Sequence, residues 1–145
     1  MEKDKIIDCY SNVFLNIDQK NWAKCKESFV DVPEIDASLS GSSEPKVKSG
    51  DLMTIWNGFL GKYTTIMHFV DNHNVTIAKD AASATCYAHI LHVIPGAPGG
   101  DSYEIFGIFS IKLVKQPNGW KINYLKFDLK HQAGNKDLPM IAAKQ

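Results

Sequence analysis

The chain has 145 residues, 16 acidic and 16 basic, for a formal net charge of zero, and every basic residue is a lysine. Without a guanidinium fork, two-pronged recognition of phosphate or guanine is excluded and no basic cluster replaces it, so nucleic acid is not an expected partner. A composition 44% hydrophobic and 22% charged suits one globular domain with a single core, and no apolar run reaches the length of a membrane span.

The opening MEKDK leads into a helical pattern rather than a signal peptide, so a cytoplasmic protein is expected. Ile6, Ile7, Tyr10, Val13, Phe14 and Ile17 recur at three- and four-residue intervals, one face of a helix over residues 3–18. Cys9, in that helix, Cys25 and Cys86 make an odd count without paired spacing, which fits buried reduced thiols better than a disulfide framework or a metal site. Asn21 caps a second, shorter helix from Trp22 to about Phe29, leaving Asp18 at the corner between the two.

After Val30 the pattern changes. Pro33 limits any strand to a sheet edge, Ile35 to Leu39 reads as a short strand, and the Ser/Gly/Pro content of 38–50 reads as an ordered loop. Asp36 in that strand is an acid that either enters a cavity or stays exposed. Ser49 caps a third helix to about Leu60, with Leu52, Ile55, Trp56, Phe59 and Leu60 inward and Gly61 as its stop.

From Tyr63 the period falls to two. Strands are expected at 64–78, 83–94, 103–116 and 120–130, with PNG at 117–119 as a hairpin turn and a polar tail from 133 that ends the domain at 132. Consecutive hairpin strands after gathered helices mean an α+β protein, an antiparallel sheet curled around the N-terminal helices to leave a conical pocket. Cys86, Ala88, Ile90, His92 and Ile94 share the small, apolar face that a pocket lining needs. Trp120, Ile122 and Tyr124 run in one phase and Leu125, Phe127 and Leu129 in the other, so a bulge is expected near Tyr124. Tyr10, Phe14, Asp36, Trp56, Ile90 and Tyr124 are the candidate pocket-lining residues. Both faces of 103–116 are apolar, which predicts a homodimer formed sheet against sheet.

His68 stands in TTIMHFVDNHNV in line with Ile66 and Val70. A lone histidine on such a stripe is commonly a hydrogen-bonded core residue, but Asp18 at the helix corner offers it a carboxylate partner. No metal need is visible: His68 and His73, like His89 and His92, fall on opposite strand faces, so neither pair shares a metal without a bulge.

The order of these elements, with DQKNW near residue 20, TIMHF in a strand and a closing NGWKI, resembles the nuclear transport factor 2-like superfamily, in its SnoaL-like and scytalone dehydratase branch. The likeness spans about residues 5–130. It implies the cone-shaped fold, no cofactor, and a general-base histidine oriented by an aspartate, at positions matched here by His68 and Asp18. The branch's second histidine has no exact match: the ungapped position is Ile94, with His92 one same-face step earlier. Its two water-binding tyrosines are replaced by Ile17 and Ala37, so the base is retained while the group that polarises a ketone is altered.

A carboxylate-oriented imidazole can remove a proton alpha to a carbonyl, worth on the order of 10² to 10⁴ in rate. The expected activity is cofactor-free proton transfer on a small apolar carbonyl compound, by Asp18, His68 and His92. Elimination of water comes first, isomerisation or cyclisation next. The alternative is a ligand-binding or dimerisation module without catalysis, in which Asp18 and His68 satisfy each other's hydrogen bonds.

Overall fold

A computed structural model describes all residues, 1–145. Helix α1 (Glu2–Asp18) buries Ile6, Tyr10, Val13, Phe14 and Ile17, the stripe its spacing demands. Helix α2 (Trp22–Lys26) follows, with the Asn21 side chain accepting from the Lys24 backbone N–H at 3.3 Å; it stops short of Phe29, which starts β1 (Phe29–Ile35). Helices α3 (Ala37–Ser40) and α4 (Ser49–Phe59) and a short 3-10 turn (Leu60–Lys62) complete the N-terminal part. Strands β2 (Thr65–Ala78), β3 (Ala81–Val93), β4 (Ser102–Gln116) and β5 (Gly119–Gly134) then form one curved, unclosed sheet, ordered β1-β5-β4-β3-β2. No helix is long and apolar enough to cross a membrane.

The inner face of β3 carries Ala82, Ala84, Cys86 and Ala88, all buried. Side chains this short leave room for α1 to lie across the sheet, where Phe14 reaches Phe109 of β4 at 4.6 Å between ring centres. Gly107 serves the same curvature, because a β-carbon there would run into the Asp128 carbonyl and the Phe127 ring.

Four expectations are corrected. Pro33 does confine β1 to the sheet edge, but β1 pairs parallel to β5, so the sheet is not wholly antiparallel. Residues 37–40 are helical, not a strand. In β2 a bulge between Asp71 and Asn74, with Asn72 at φ 54°, switches the inward phase from even to odd positions. His73 thereby turns toward α1, on the same side as His68, and its Nδ1 lies 2.6 Å from the Tyr10 hydroxyl. The polar tail expected from 133 ends in structure: helix α5 (Leu138–Ala143) buries Leu138 and Ala142 against Tyr63 and Ile94. It is tied down by Asn135, whose amide donates to the Pro98 and Gly100 carbonyls.

Candidate active site

Asp18 is the last residue of α1, one turn beyond Phe14, and Phe14 stacks on the His68 ring at 5.2 Å and 14°. That packing sets the carboxylate against β2 with both oxygens engaged. Oδ2 accepts the His68 backbone N–H at 2.9 Å and Oδ1 lies 2.6 Å from His68 Nδ1. The side chains are 5% exposed for His68 and 18% for Asp18. A carboxylate only accepts, so Nδ1 carries a hydrogen; in the neutral form of the ring the lone pair is then on Nε2, which has no protein partner. Asp18 also sits where a carboxylate is least welcome, at the negative end of a helix whose last turn has no basic residue.

His68 lines a cavity of about 320 Å³. Ile17, Trp56, Ile66, Ile90, Phe109 and Phe127 form its apolar walls, and Phe59, Leu129 and Pro139 also border it. Its polar groups are few. His92 is 5% exposed, and its Nδ1 is 3.0 Å from the Tyr103 carbonyl. Burial pushes the His92 pKa down to about 4, the Tyr103 carbonyl and Asp18 opposing, so the ring is neutral at pH 7. The Tyr103 hydroxyl donates to Gln132 Oε1 at 2.8 Å, the Trp56 ring N–H to the Leu39 carbonyl at 2.9 Å, and the Ser38 hydroxyl to Asp36. Tyr63, whose ring lies 4.8 Å from that of His92, has a hydroxyl with no partner, and burial pushes its pKa up to about 12. The arrangement is an oriented imidazole beside a small apolar space.

Of the residues named from sequence, Asp18 and His68 meet, and Phe14, Trp56, Ile90 and His92 share the cavity. Three stand elsewhere. Tyr10 is fully buried one turn before Phe14 and bonds His73, so it belongs to the core. Asp36 precedes α3, where Ser38 caps its carboxylate, because the chain turns helical instead of extending toward the pocket. Tyr124 lies just past an irregularity in which Asn123 has no partner on β4, and packs under Lys112 at 4.9 Å, away from the cavity. The bulge expected at that place is present, and it is what rotates Tyr124 away. Tyr63 was missed because it precedes the strand, where alternation gives no direction.

No curated protein matches the chain in sequence. Solved structures share its fold. The Kfla4162 protein of Kribbella flavida superposes with a TM-score of 0.84 at 21% identity, over 97% of this chain and 96% of that one. A protein of Novosphingobium aromaticivorans, provisionally named a scytalone dehydratase, gives 0.78 at 12%, over 92% and 87%. The LinA-type3 hexachlorocyclohexane dehydrochlorinase of Novosphingobium barchaimii gives 0.75 at 15%, over 92% and 90%. The SnoaL-like domain family matches residues 2–126, nearly the full length, and the chain belongs to that family, with its nuclear transport factor 2-like fold.

Proposed function

We propose that the protein is a cofactor-independent lyase or isomerase in which His68, oriented by Asp18, removes a proton alpha to the carbonyl of a small apolar compound. The observation that carries this reading is the two-pronged Asp18 contact, which fixes the imidazole so that its free nitrogen belongs to a ring lining a largely apolar cavity. A carboxylate bonded to Nδ1–H also stabilises the imidazolium formed on proton transfer, and the low polarity of the walls strengthens that interaction. Relatives of this fold include proteins named for elimination reactions, a scytalone dehydratase and a dehydrochlorinase, and elimination of water is the reading we favour, with the proton taken up by His68 Nε2 passing to the departing hydroxide so that it leaves as water. No lysine lines the cavity, so it offers no ammonium group to pair with an anionic substrate; the Tyr63 hydroxyl is the donor available to a carbonyl oxygen.

The test is a panel of apolar β-hydroxy ketones followed by the absorbance of the conjugated enone. Wild type should turn over at least one member with saturation, and His68→Gln should lower that rate by about 10² to 10⁴. Equal rates in the two proteins, or no turnover of any member, would overturn the proposal.

A further inference from the structure

The cavity holds a second histidine whose ring hydrogen is also fixed by a protein acceptor, and whose burial makes it a weaker base. The Tyr103 carbonyl is an acceptor without a proton to give, so the 3.0 Å contact requires the hydrogen to sit on His92 Nδ1. In the neutral ring Nε2 then carries only a lone pair. It can neither donate to a ketone oxygen nor protonate a leaving group, and nothing in the protein donates to it. The low basicity that burial imposes keeps the ring in this state throughout the physiological range. The rings of Tyr63 and Tyr103 pack against His92 at 4.8 and 5.4 Å, and turning the ring over would forfeit the bond to the Tyr103 carbonyl.

Its position relative to His68 is fixed by register. His68 pairs with Ile90 and Ile66 with His92, so the two imidazoles are diagonal neighbours on one face of β2 and β3. Side chains so related start about 7 Å apart. Of the donors along the cavity wall, the Tyr103, Trp56 and Ser38 groups are already committed to protein acceptors. What the wall offers a ligand is therefore unusual in sign: two imidazole lone pairs against the single free hydroxyl of Tyr63.

We infer that His92 Nε2 is a hydrogen-bond acceptor for the ligand, so that the site selects apolar compounds carrying a hydroxyl, phenolic or alcoholic, a few bonds from the carbon that faces His68. This assignment takes the catalytic role from His92 and makes it the residue that orients the substrate. It rests on the cavity being the substrate site, and deepens the function proposed above. A hydroxylated ligand gains one hydrogen bond in a largely apolar site, where an unhydroxylated one leaves the Nε2 lone pair without a donor.

The experiment compares 2-naphthol with 2-methylnaphthalene, similar in size and shape, by titration calorimetry on wild type, His92→Phe and His68→Gln. Wild type and His68→Gln should bind the naphthol about 3- to 10-fold more tightly, and His92→Phe should bind the two alike. In wild type, long-range proton–nitrogen correlation spectra should show the His92 Nε2 resonance moving with the naphthol and staying with the methyl compound. This readout stands even if His92→Phe folds poorly. Equal affinities in wild type, an unmoved Nε2 resonance, or no binding of either probe at millimolar concentration would overturn the inference. Loss of enone formation is not among these readouts, so a selective acceptor without turnover would defeat the proposed activity and leave the role of His92 standing.

Discussion

Replacing Asp18 with Asn changes one atom and separates orientation from shape. In the wild type both carboxylate oxygens accept, one from the His68 backbone N–H at 2.9 Å and one from Nδ1–H at 2.6 Å. The amide can satisfy both places only by keeping its oxygen on the backbone N–H and presenting its NH₂ to Nδ1. Nδ1 must then be the acceptor, and the ring proton moves to Nε2, where it blocks the base. Two bonds to a charged acceptor, about 1.5 to 3 kcal/mol each, become neutral ones of about 0.5 to 1.5. Removing a carboxylate from the helix C-terminus returns about 0.3 to 1 kcal/mol. The net loss is on the order of 1 to 3 kcal/mol, a fall in Tm of about 3 to 9 °C. Turnover of a substrate from the β-hydroxy ketone panel should drop by about 10² to 10⁴, and nitrogen spectra of His68 should report the changed tautomer. A variant that keeps Nδ1 protonated, or that reacts within about threefold of wild type, would refute the reasoning.

Ile90 lies opposite His68 and lines the cavity, so Ile90→Trp should fill it. The expected result is loss of ligand-induced stabilisation in thermal melts, at a stability cost below the 1 to 3 kcal/mol of overpacking a filled core. The buried, neutral His92 makes stability depend on pH: below about 6.5 the unfolded chain binds a proton that the folded one refuses until about pH 4. Its contribution is full above 6.5 and is lost as pH falls toward 4, up to about 3 kcal/mol, and urea titrations of wild type and His92→Phe should diverge in that window. The outer sheet face presents Phe69 and Tyr87, 49% and 57% exposed, around a groove that also holds Phe106, Ile108, Asp71 and Lys130. We propose that it pairs with a second copy of this chain, since a twofold arrangement buries the aromatic rings and can set each Lys130 near the other Asp71. Light scattering at micromolar concentration should give a dimer, converted to monomer by Phe106→Lys.

The helical stripe from Ile6 to Ile17 and the alternation from Ala82 to His92 were legible because each buries a single regular face. Asp18 and His68 could be paired in advance because one ends a stripe and the other sits on one. Legibility ended wherever the backbone breaks its own period. A non-glycine residue at positive φ, Asn72, reverses the phase of β2 and brings His73 inward, and alternation carries no trace of it. The irregularity at Asn123 was visible, but which residue it would expel was not, and Tyr124 went the other way. Helix α5 hides only Leu138 and Ala142, too few apolar residues in too short a helix to stand out from a polar tail. The parallel pairing of β1 with β5 joins residues nearly a hundred positions apart, which no local pattern in β1 encodes.

Proton removal by His68 is measured most directly without the natural substrate, by exchange of the alpha protons of 2-tetralone in deuterated buffer, followed by proton NMR at saturating ketone. Wild type should exchange them with saturation kinetics, and His68→Gln, shown by calorimetry to bind the same ketone, should be slower by about 10² to 10⁴. Exchange by wild type no faster than by the His68→Gln variant, with the ketone bound in both, would contradict the assignment of His68 as the base.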